Sequence, residues 1–180
     1  MKTALCRLAL CWAAVTLPGS ALAADALVAE LEQRLASAGV ESVNEHLSAH
    51  ADSALARFNR QTASCELPAV SLAIRLARGA NVRAVQAHEE SLRAASGRCA
   101  RFVLALLSAT EVPRVCASQA AWGAAQTARE LRRRIADIEA DKLLRATARG
   151  QACRAAYLDE LTNTRVTLRV ATPLPTARER

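Results

Sequence analysis

Two histidines four residues apart are the first candidates for chemistry in this sequence. His46 and His50 lie on one face of a predicted helix, where Glu45 or Asp52 could add a carboxylate oxygen to a metal site. The HExxH order of zinc proteases is absent, because the glutamate precedes the first histidine, and no defined third ligand follows. His46 and His50 are therefore weak metal candidates. A solvated polar face is favoured, His88 is interpreted in the same way, and no cofactor is predicted.

Cysteine is the second candidate group. The sequence contains six cysteines, two of which fall in an N-terminal leader described below; the other four are Cys65, Cys99, Cys116 and Cys153. No two of these four lie within four residues of each other, so the spacing of a zinc site or of a redox CxxC motif is absent. An even number of cysteines in an exported chain predicts two disulfides, for which three pairings exist.

Helix geometry ranks the three pairings. If the third and fourth predicted helices form an up-down hairpin, Cys65 and Cys99 lie at the same end of the bundle. One straight helix after Cys116 would be about 50 Å long and would separate Cys116 from Cys153, but a turn near Gly123 would bring them together. We favour 65 with 99 and 116 with 153 and keep the other pairings open. In the chain-entropy model each bond would stabilise the fold by roughly 3 to 4 kcal/mol.

Three consecutive arginines and one tryptophan are candidate interface residues. Arg132, Arg133 and Arg134 form the densest charge run and would suit an anionic partner. Acidic residues lie four positions from two of them on the predicted helix, so pairing along the helix and a solvated face are favoured. Trp122 stands beside Gly123 at a predicted helix break. Core packing is its default interpretation, although an exposed tryptophan is a frequent interface anchor.

Familiar catalytic motifs are missing. The sequence contains no GxSxG turn, no GxGxxG or phosphate-binding loop, and no CxxCH for covalent haem. Aromatic residues make up only 3% of the chain, which argues against base stacking and therefore against a nucleic-acid partner, despite a formal charge of +7. These absences argue against hydrolases and dinucleotide enzymes of the common types.

The N-terminus has the features of a removable export signal. Lys2 and Arg7 precede an apolar stretch of about ten residues, the length of a signal-peptide core. Pro18 ends this stretch well before the about twenty residues that a membrane-spanning helix requires. Ala21 and Ala23 supply the small side chains that signal peptidase accepts. We predict cleavage after Ala23, with cleavage one residue later as the alternative.

Removal of the leader sets the expected compartment. Cys6 and Cys11 would leave with it, and the formal charge would fall to +5, because the leader carries two basic and no acidic residues. A lipid anchor at Cys11 is disfavoured, since Leu10 is large where a small residue is required. We expect a periplasmic or secreted protein with no transmembrane segment after cleavage.

Helical periodicity dominates the rest of the chain, in which alanine and leucine supply most of the apolar residues. We therefore predict an all-α, disulfide-stabilised bundle of about six to seven helices. The fifth helix is expected to be central, because it is apolar around most of its circumference. The predicted limits are Asp25 to Gly39, Glu41 to just before Cys65, Pro68 to Gly79, Val82 to Ala95, Cys99 to Leu107 after a break at Gly97, Pro113 to Arg149 with an interruption at Gly123 and an end at Gly150, and Gln151 to Leu161.

The C-terminal region changes its pattern. Val166, Leu168 and Val170 alternate with polar residues, as in a half-buried strand, but a lone strand has no ladder partner. A helix extension or an extended arm is favoured. Pro173 and Pro175 open a tail that we expect to be disordered. The predicted organisation is a signal peptide at 1–23, a helical domain at 24–172 and a tail at 173–180.

Three classes of function are compatible with these features. We expect a protein-binding module, such as an adaptor, inhibitor, chaperone or immunity-type factor, which needs another protein as partner and no active site. An exported all-helical enzyme is the first alternative. Secreted chorismate mutases are the nearest class, but their cationic clamp for a dicarboxylate cannot be placed here, where Lys142 is the only lysine outside the leader. A small-ligand carrier is the second alternative.

The three classes predict different structures. Buried arginines that converge on a cavity would favour the enzyme, and a large apolar cavity would favour the carrier. An exposed apolar patch without a cavity would favour the binding module.

Overall fold

The computed structural model describes residues 19–117 and 123–171, and all of its regular structure in these ranges is helical. The all-α class and the presence of disulfide bonds are confirmed. The predicted leader up to residue 18, the tail and Trp122 lie outside the described residues. The elements are α1 (Gly19–Ala49), a π-helical turn (Ala51–Leu55), α2 (Ala56–Ala63), α3 (Leu67–Leu76), α4 (Val82–Leu106), α5 (Glu111–Ala117), α6 (Ala124–Ala140), α7 (Lys142–Ala146) and α8 (Ala148–Ala171).

Helices α1 to α4 pack together as the N-terminal half of the domain. The predicted leucine stripe of the first helix, Leu27, Leu31 and Leu35, is buried. The chain leaves helical geometry at Gly39, whose φ of 79° is readily adopted by glycine. The break therefore falls at the predicted residue, and a second helical segment continues to Ala49. None of the described helices combines the length and the apolar character needed to cross a membrane.

Helix α4 connects the two halves of the domain, because it contacts α1, α2 and α3 on one side and α5 and α8 on the other. The predicted break at Gly97 is wrong: α4 continues through Gly97 and leaves helical geometry at Cys99, where φ is −137° and ψ is 52°. The predicted central position of its last part is also wrong. Leu104 is buried, but Leu106 is 41% exposed, so neighbouring helices cover this segment on one side only.

The predicted long helix ending at Arg149 is broken at Asp141, which separates α6 from α7. The Asp141 carboxylate accepts the backbone N–H groups of Leu143 and Leu144, which caps α7 and starts a new helix direction. Gly150 was expected to end a helix, but it lies inside α8. A side chain at Gly150 would overlap the Leu144 carbonyl, so glycine allows the close approach of α7 and α8.

Helix α8 is the main support of the C-terminal half, where it packs against α5 and α6. Its backbone remains helical to Ala171, so the alternating residues at 166–170 extend a helix and the strand alternative is wrong. The described residues contain eight α-helices rather than six to seven, because the region predicted as Pro113 to Arg149 contains α5, α6 and α7, whereas the two helices predicted on either side of Gly97 form the single helix α4.

Two disulfides connect these elements in the pairing that helix geometry favoured. Cys65 bonds to Cys99 with a Cα–Cα distance of 6.3 Å, and Cys116 bonds to Cys153 with a Cα–Cα distance of 5.4 Å. The first bond holds the break in α4 against the turn between α2 and α3. The second holds α5 against α8. The first bond thus restrains α4 and the second restrains α8, and both helices border the site described next.

Candidate binding groove

A surface groove runs along the second half of α4, between this helix and the C-terminal helices. It consists of two adjoining cavities of about 410 and 530 Å³ that share Gly97, Arg98 and Arg134 in their walls. We call the two together the α4 groove. One wall is α4 from Ala94 to Leu104, and α6 forms the facing wall. Tyr157 of α8 lines the cavity of about 410 Å³.

Arg134 forms the floor of the groove. Its guanidinium is only 6% exposed and is held by Glu130 through Nε at 2.9 Å and by the backbone carbonyl of Arg93 through Nη1 at 2.7 Å. The guanidinium also lies over the ring of Tyr157, 5.8 Å from its centroid. Gly97 makes this position possible, because a Cβ atom there would lie 3.0 Å from Nη2 of Arg134. Arg134 thus spans the space between α6 and α4.

The three predicted interface arginines take three different positions. Arg134 points inward, which was not predicted, whereas Arg132 is exposed on α6. Arg133 is half-exposed and pairs with Glu130 at 2.6 Å and with Asp137 at 2.8 Å. The expected pairing along the helix is therefore present for Arg133 and Arg134. The run is not one continuous charged face, because successive helical positions point in different directions.

A second guanidinium is buried beside Arg134. Arg93 is 6% exposed, and its Nη1 atom has no hydrogen-bond partner among the described residues. Burial, followed by the charge of Arg134, lowers the pKa of Arg93. Glu130 is the one described carboxylate that forms an ion pair with either guanidinium, and the hydrogen bond from Arg133 lowers the pKa of Glu130 to about 2. The negative charge of Glu160 on α8 also acts on Arg93, although the two residues form no ion pair.

The walls of the α4 groove carry more positive than negative charge. Five arginines line it with three carboxylates, which leaves two positive charges in excess. Arg98 and Arg129 are exposed and form no ion pair with any described residue. The remaining three arginines are paired, and the hydrogen bond from Arg101 lowers the pKa of Asp141. Arg98 and Arg129 are consequently the two cations of the groove that are available for an external anion.

No protein-family model, curated protein or solved structure matches this chain.

The histidines do not form a metal site in the described part of the chain. The rings of His46 and His50 are 4.7 Å apart, and Nδ1 of His50 bonds to the carbonyl of His46. Among the described residues no group of three potential ligands could hold a metal ion. Desolvation, then the charges of Arg34 and His50, lowers the pKa of His46. His46 belongs to α1 and His50 follows its last residue, and neither lines the groove.

His88 was expected on the surface but is fully buried. Its Nε2 faces Oδ1 of Asn44 at 3.1 Å, its Nδ1 faces Oδ1 of Asn59 at 3.2 Å, and its ring packs edge-on against Phe58. Burial lowers the pKa of His88 to about 4. The imidazole is therefore neutral at pH 7 and carries one N–H. Donation from Nε2 to Oδ1 of Asn44 suits it, because the Asn44 amide nitrogen already donates to the Leu76 carbonyl. His88 thus links α4 to α1, separate from the groove.

Sequence reasoning missed most of the groove. The signal that was present is spacing: Arg129 and Arg133 are four residues apart on α6 and share a helix face, whereas Arg98 and Arg101 are three apart but flank the break at Cys99. The proximity of the two faces depends on how α4 and α6 pack, which no local pattern contains.

Proposed function

We propose that this protein is an exported binding module whose recognition site is the α4 groove, and that it binds an acidic segment of another protein. The observation that carries the proposal is the presence of two exposed arginines without ionic partners, Arg98 and Arg129, on opposite walls of one cavity of about 530 Å³. Guanidinium groups bind carboxylates through paired, charge-assisted hydrogen bonds. Two free guanidinium groups on facing helices suit a ligand that carries more than one carboxylate.

The length of the groove favours a polypeptide over a small molecule. Ala94 and Leu104, the ends of the α4 wall, are ten residues apart, which corresponds to about 15 Å along a straight helix, and the break at Cys99 lies between them. An extended segment of four to five residues has about the same length. The groove is open to solvent along this distance, so a segment can bind without being enclosed. The export signal and the two disulfides support a compartment outside the cytoplasm for this interaction.

One observation favours the enzyme alternative. Arg134 is buried beside a cavity of about 410 Å³ that Tyr157 also lines, and a buried arginine beside a cavity is the arrangement expected of a site for a small dicarboxylate. We favour the binding module, because Glu130 and a backbone carbonyl already occupy donors of Arg134. Malonate, a small dicarboxylate, distinguishes the binding module from the enzyme. If the groove binds a polypeptide segment, millimolar malonate should displace an acidic peptide only weakly. Complete displacement at micromolar malonate would support the enzyme and contradict the binding module.

Peptide binding to the full oxidised protein tests the proposal directly. A fluorescein-labelled octapeptide that alternates glutamate and serine should bind, and its affinity should fall as salt is added. The same octapeptide with lysine in place of glutamate should not bind. Replacement of both free arginines, Arg98→Ala with Arg129→Ala, should raise the Kd about tenfold, which equals about 1.4 kcal/mol.

A matched variant separates the groove from net charge. Arg60 and Arg83 are also exposed and without ion pairs among the described residues, but neither lines the groove. Arg60→Ala with Arg83→Ala removes the same charge and should leave the Kd within about twofold of the unmodified protein. The proposal is wrong if both double variants weaken binding equally, or if the unmodified protein does not bind the acidic peptide.

A further inference from the structure

A small apolar hollow adjoins the α4 groove at its C-terminal end. It has a volume of about 260 Å³ and lies between the end of α4 and α7. Leu104 and Leu144 are buried and form its floor, while Leu143 stands beside it and is 63% exposed. We call it the apolar hollow. The hollow and the cavity of about 410 Å³ share Arg101, Leu104 and Leu144 in their walls, so the two spaces adjoin.

The local structure holds the hollow open. Asp141 caps the first turn of α7 and accepts bonds from Arg101, so one carboxylate fixes α7 against α4. On the opposite edge, Nη1 of Arg149 donates to the carbonyl of Ala105 at 2.8 Å. Two arginines consequently border an apolar floor. A buried apolar centre with a polar border is the usual arrangement of an energetically dominant interface contact.

The volume and the charge of the hollow restrict its occupant. Pockets that bind a complete small molecule have volumes of about 300 to 1,000 Å³, so a hollow of about 260 Å³ is suited to one large side chain rather than a whole ligand. Arg149 forms no ion pair with a described residue, so the border favours a partner that carries negative charge next to its apolar group. An acidic segment with one leucine or phenylalanine meets both conditions.

The distance between the free cation and the hollow determines the spacing within that segment. Arg98 and Leu104 are six residues apart on α4 and line the same cavity; six residues of a straight helix rise about 9 Å, and the break at Cys99 lies between these two residues. A polyproline II segment advances about 3.1 Å per residue with three residues per turn. Two side chains three positions apart in such a segment therefore point the same way and are separated by about 9 Å. In a β-strand, side chains three positions apart point to opposite faces.

We propose that the hollow binds a leucine or phenylalanine of the partner's acidic segment, three positions from a carboxylate that binds Arg98. This inference rests on the proposed function, since it assumes that the groove binds such a segment. It adds a motif, an acidic residue followed or preceded at three positions by a large apolar residue, with proline permitted between them.

Three labelled peptides test the motif on the full oxidised protein. The first is acetylated Ser-Glu-Pro-Pro-Leu-Ser, the second has serine in place of leucine, and the third has one proline fewer. The first should bind about tenfold more tightly than the second, because leucine leaves water for an apolar site. It should also bind about fivefold more tightly than the third, in which the two side chains no longer point the same way.

Variants of the protein test whether the hollow causes the tighter binding of the leucine peptide. Leu143→Ser should raise the Kd for the leucine peptide about fivefold and leave the Kd for the serine peptide unchanged, because the substitution alters only the wall of the hollow. Leu67→Ser is the matched control, since Leu67 is also an exposed leucine, 51% exposed, and does not line the groove or the hollow. It should change neither affinity.

The outcomes separate this inference from the proposed function. If the leucine and serine peptides bind equally and both depend on Arg98 and Arg129, the groove binds acidic segments and the inference about the hollow is wrong. If leucine improves binding but Leu143→Ser has no more effect than Leu67→Ser, the inference is also wrong. If neither of these single-glutamate peptides binds but the octapeptide that alternates glutamate and serine does, the inference is wrong and the proposed function stands. If the octapeptide does not bind either, both fail.

Discussion

The guanidinium of Arg134 packs directly against Gly97 of α4, so that a Cβ atom at position 97 would lie 3.0 Å from Nη2 and 3.1 Å from Cζ. Few side chains approach a neighbour this closely. Arg134 cannot withdraw easily, because Glu130 and the carbonyl of Arg93 hold two of its nitrogen atoms. Gly97 therefore serves close packing between α4 and α6, which explains a glycine within a helix where it disfavours helix formation.

This contact predicts the effect of Gly97→Ala. Alanine would favour the helix by up to about 1 kcal/mol, but the added methyl would displace a fixed guanidinium, and overpacking costs about 1 to 3 kcal/mol. We expect a net decrease of about 1 kcal/mol in the free energy of unfolding, measured by urea denaturation. In the Arg134→Met variant, Gly97→Ala should raise the free energy of unfolding. A stabilising Gly97→Ala in the unmodified protein would contradict this account of the packing.

Buried His88 predicts loss of stability in mild acid. Its folded-state pKa of about 4 lies below the ordinary value of 6.5, so the unfolded chain binds more protons between these values. The free energy of unfolding should therefore fall as the pH falls from about 6.5 to 4, by roughly 3 kcal/mol in total, and this contribution should be lost completely below about pH 4.

Two variants test whether His88 causes this pH dependence of stability. His88→Gln removes the titrating group and should flatten the stability profile between pH 6.5 and 4.5. His46→Gln should change the profile less, because His46 is only partly buried. Glu111 and Glu130, whose pKa values are lowered to about 2 by Arg78 and Arg133 respectively, add their own losses only as the pH falls below about 4.5. An unchanged profile in His88→Gln would contradict the assignment.

The two disulfides should contribute almost equally to stability. Cys65 and Cys99 are separated by 34 residues and Cys116 and Cys153 by 37, so loop closure restricts the unfolded chain to a similar extent. Replacement of either pair by alanine should lower the free energy of unfolding by roughly 3 to 4 kcal/mol. Alkylation followed by mass spectrometry should find these four thiols only after reduction. Four reactive thiols in the exported, unreduced protein would refute both bonds.

The mature N-terminus provides a test of the export signal. We expect the intact mass of the exported protein to correspond to a chain that begins at Ala24. Leu27 is the first residue with a described buried side chain, so this cleavage removes none of the described core. Ala23→Lys should block processing, because the peptidase requires a small residue there, whereas Ala23→Gly should be processed normally. An exported protein that retains Met1 would contradict the prediction.

Several elements of the fold were predictable because their causes are local. The leucine stripe of α1 repeats every four residues, and Gly39 adopts a backbone conformation that other residues disfavour. Other boundaries were not predictable. Asp141 ends α6 because its carboxylate caps α7 and binds Arg101, which is 40 residues away in the sequence. A local pattern contains no information about that partner.

By itself, the sequence determined that this chain is helical, that its helices carry apolar faces and that its cysteines suit two disulfides, since periodicity and spacing act over a few residues. Only the tertiary structure decided which arginine is buried and which arginines remain free. Arg134 turns inward because α4 presents a carbonyl and a glycine at its position, and Arg98 and Arg129 meet across one cavity because α4 and α6 face each other. Burial and proximity of charges depend on packing between distant segments, and the groove exists only once that packing is complete.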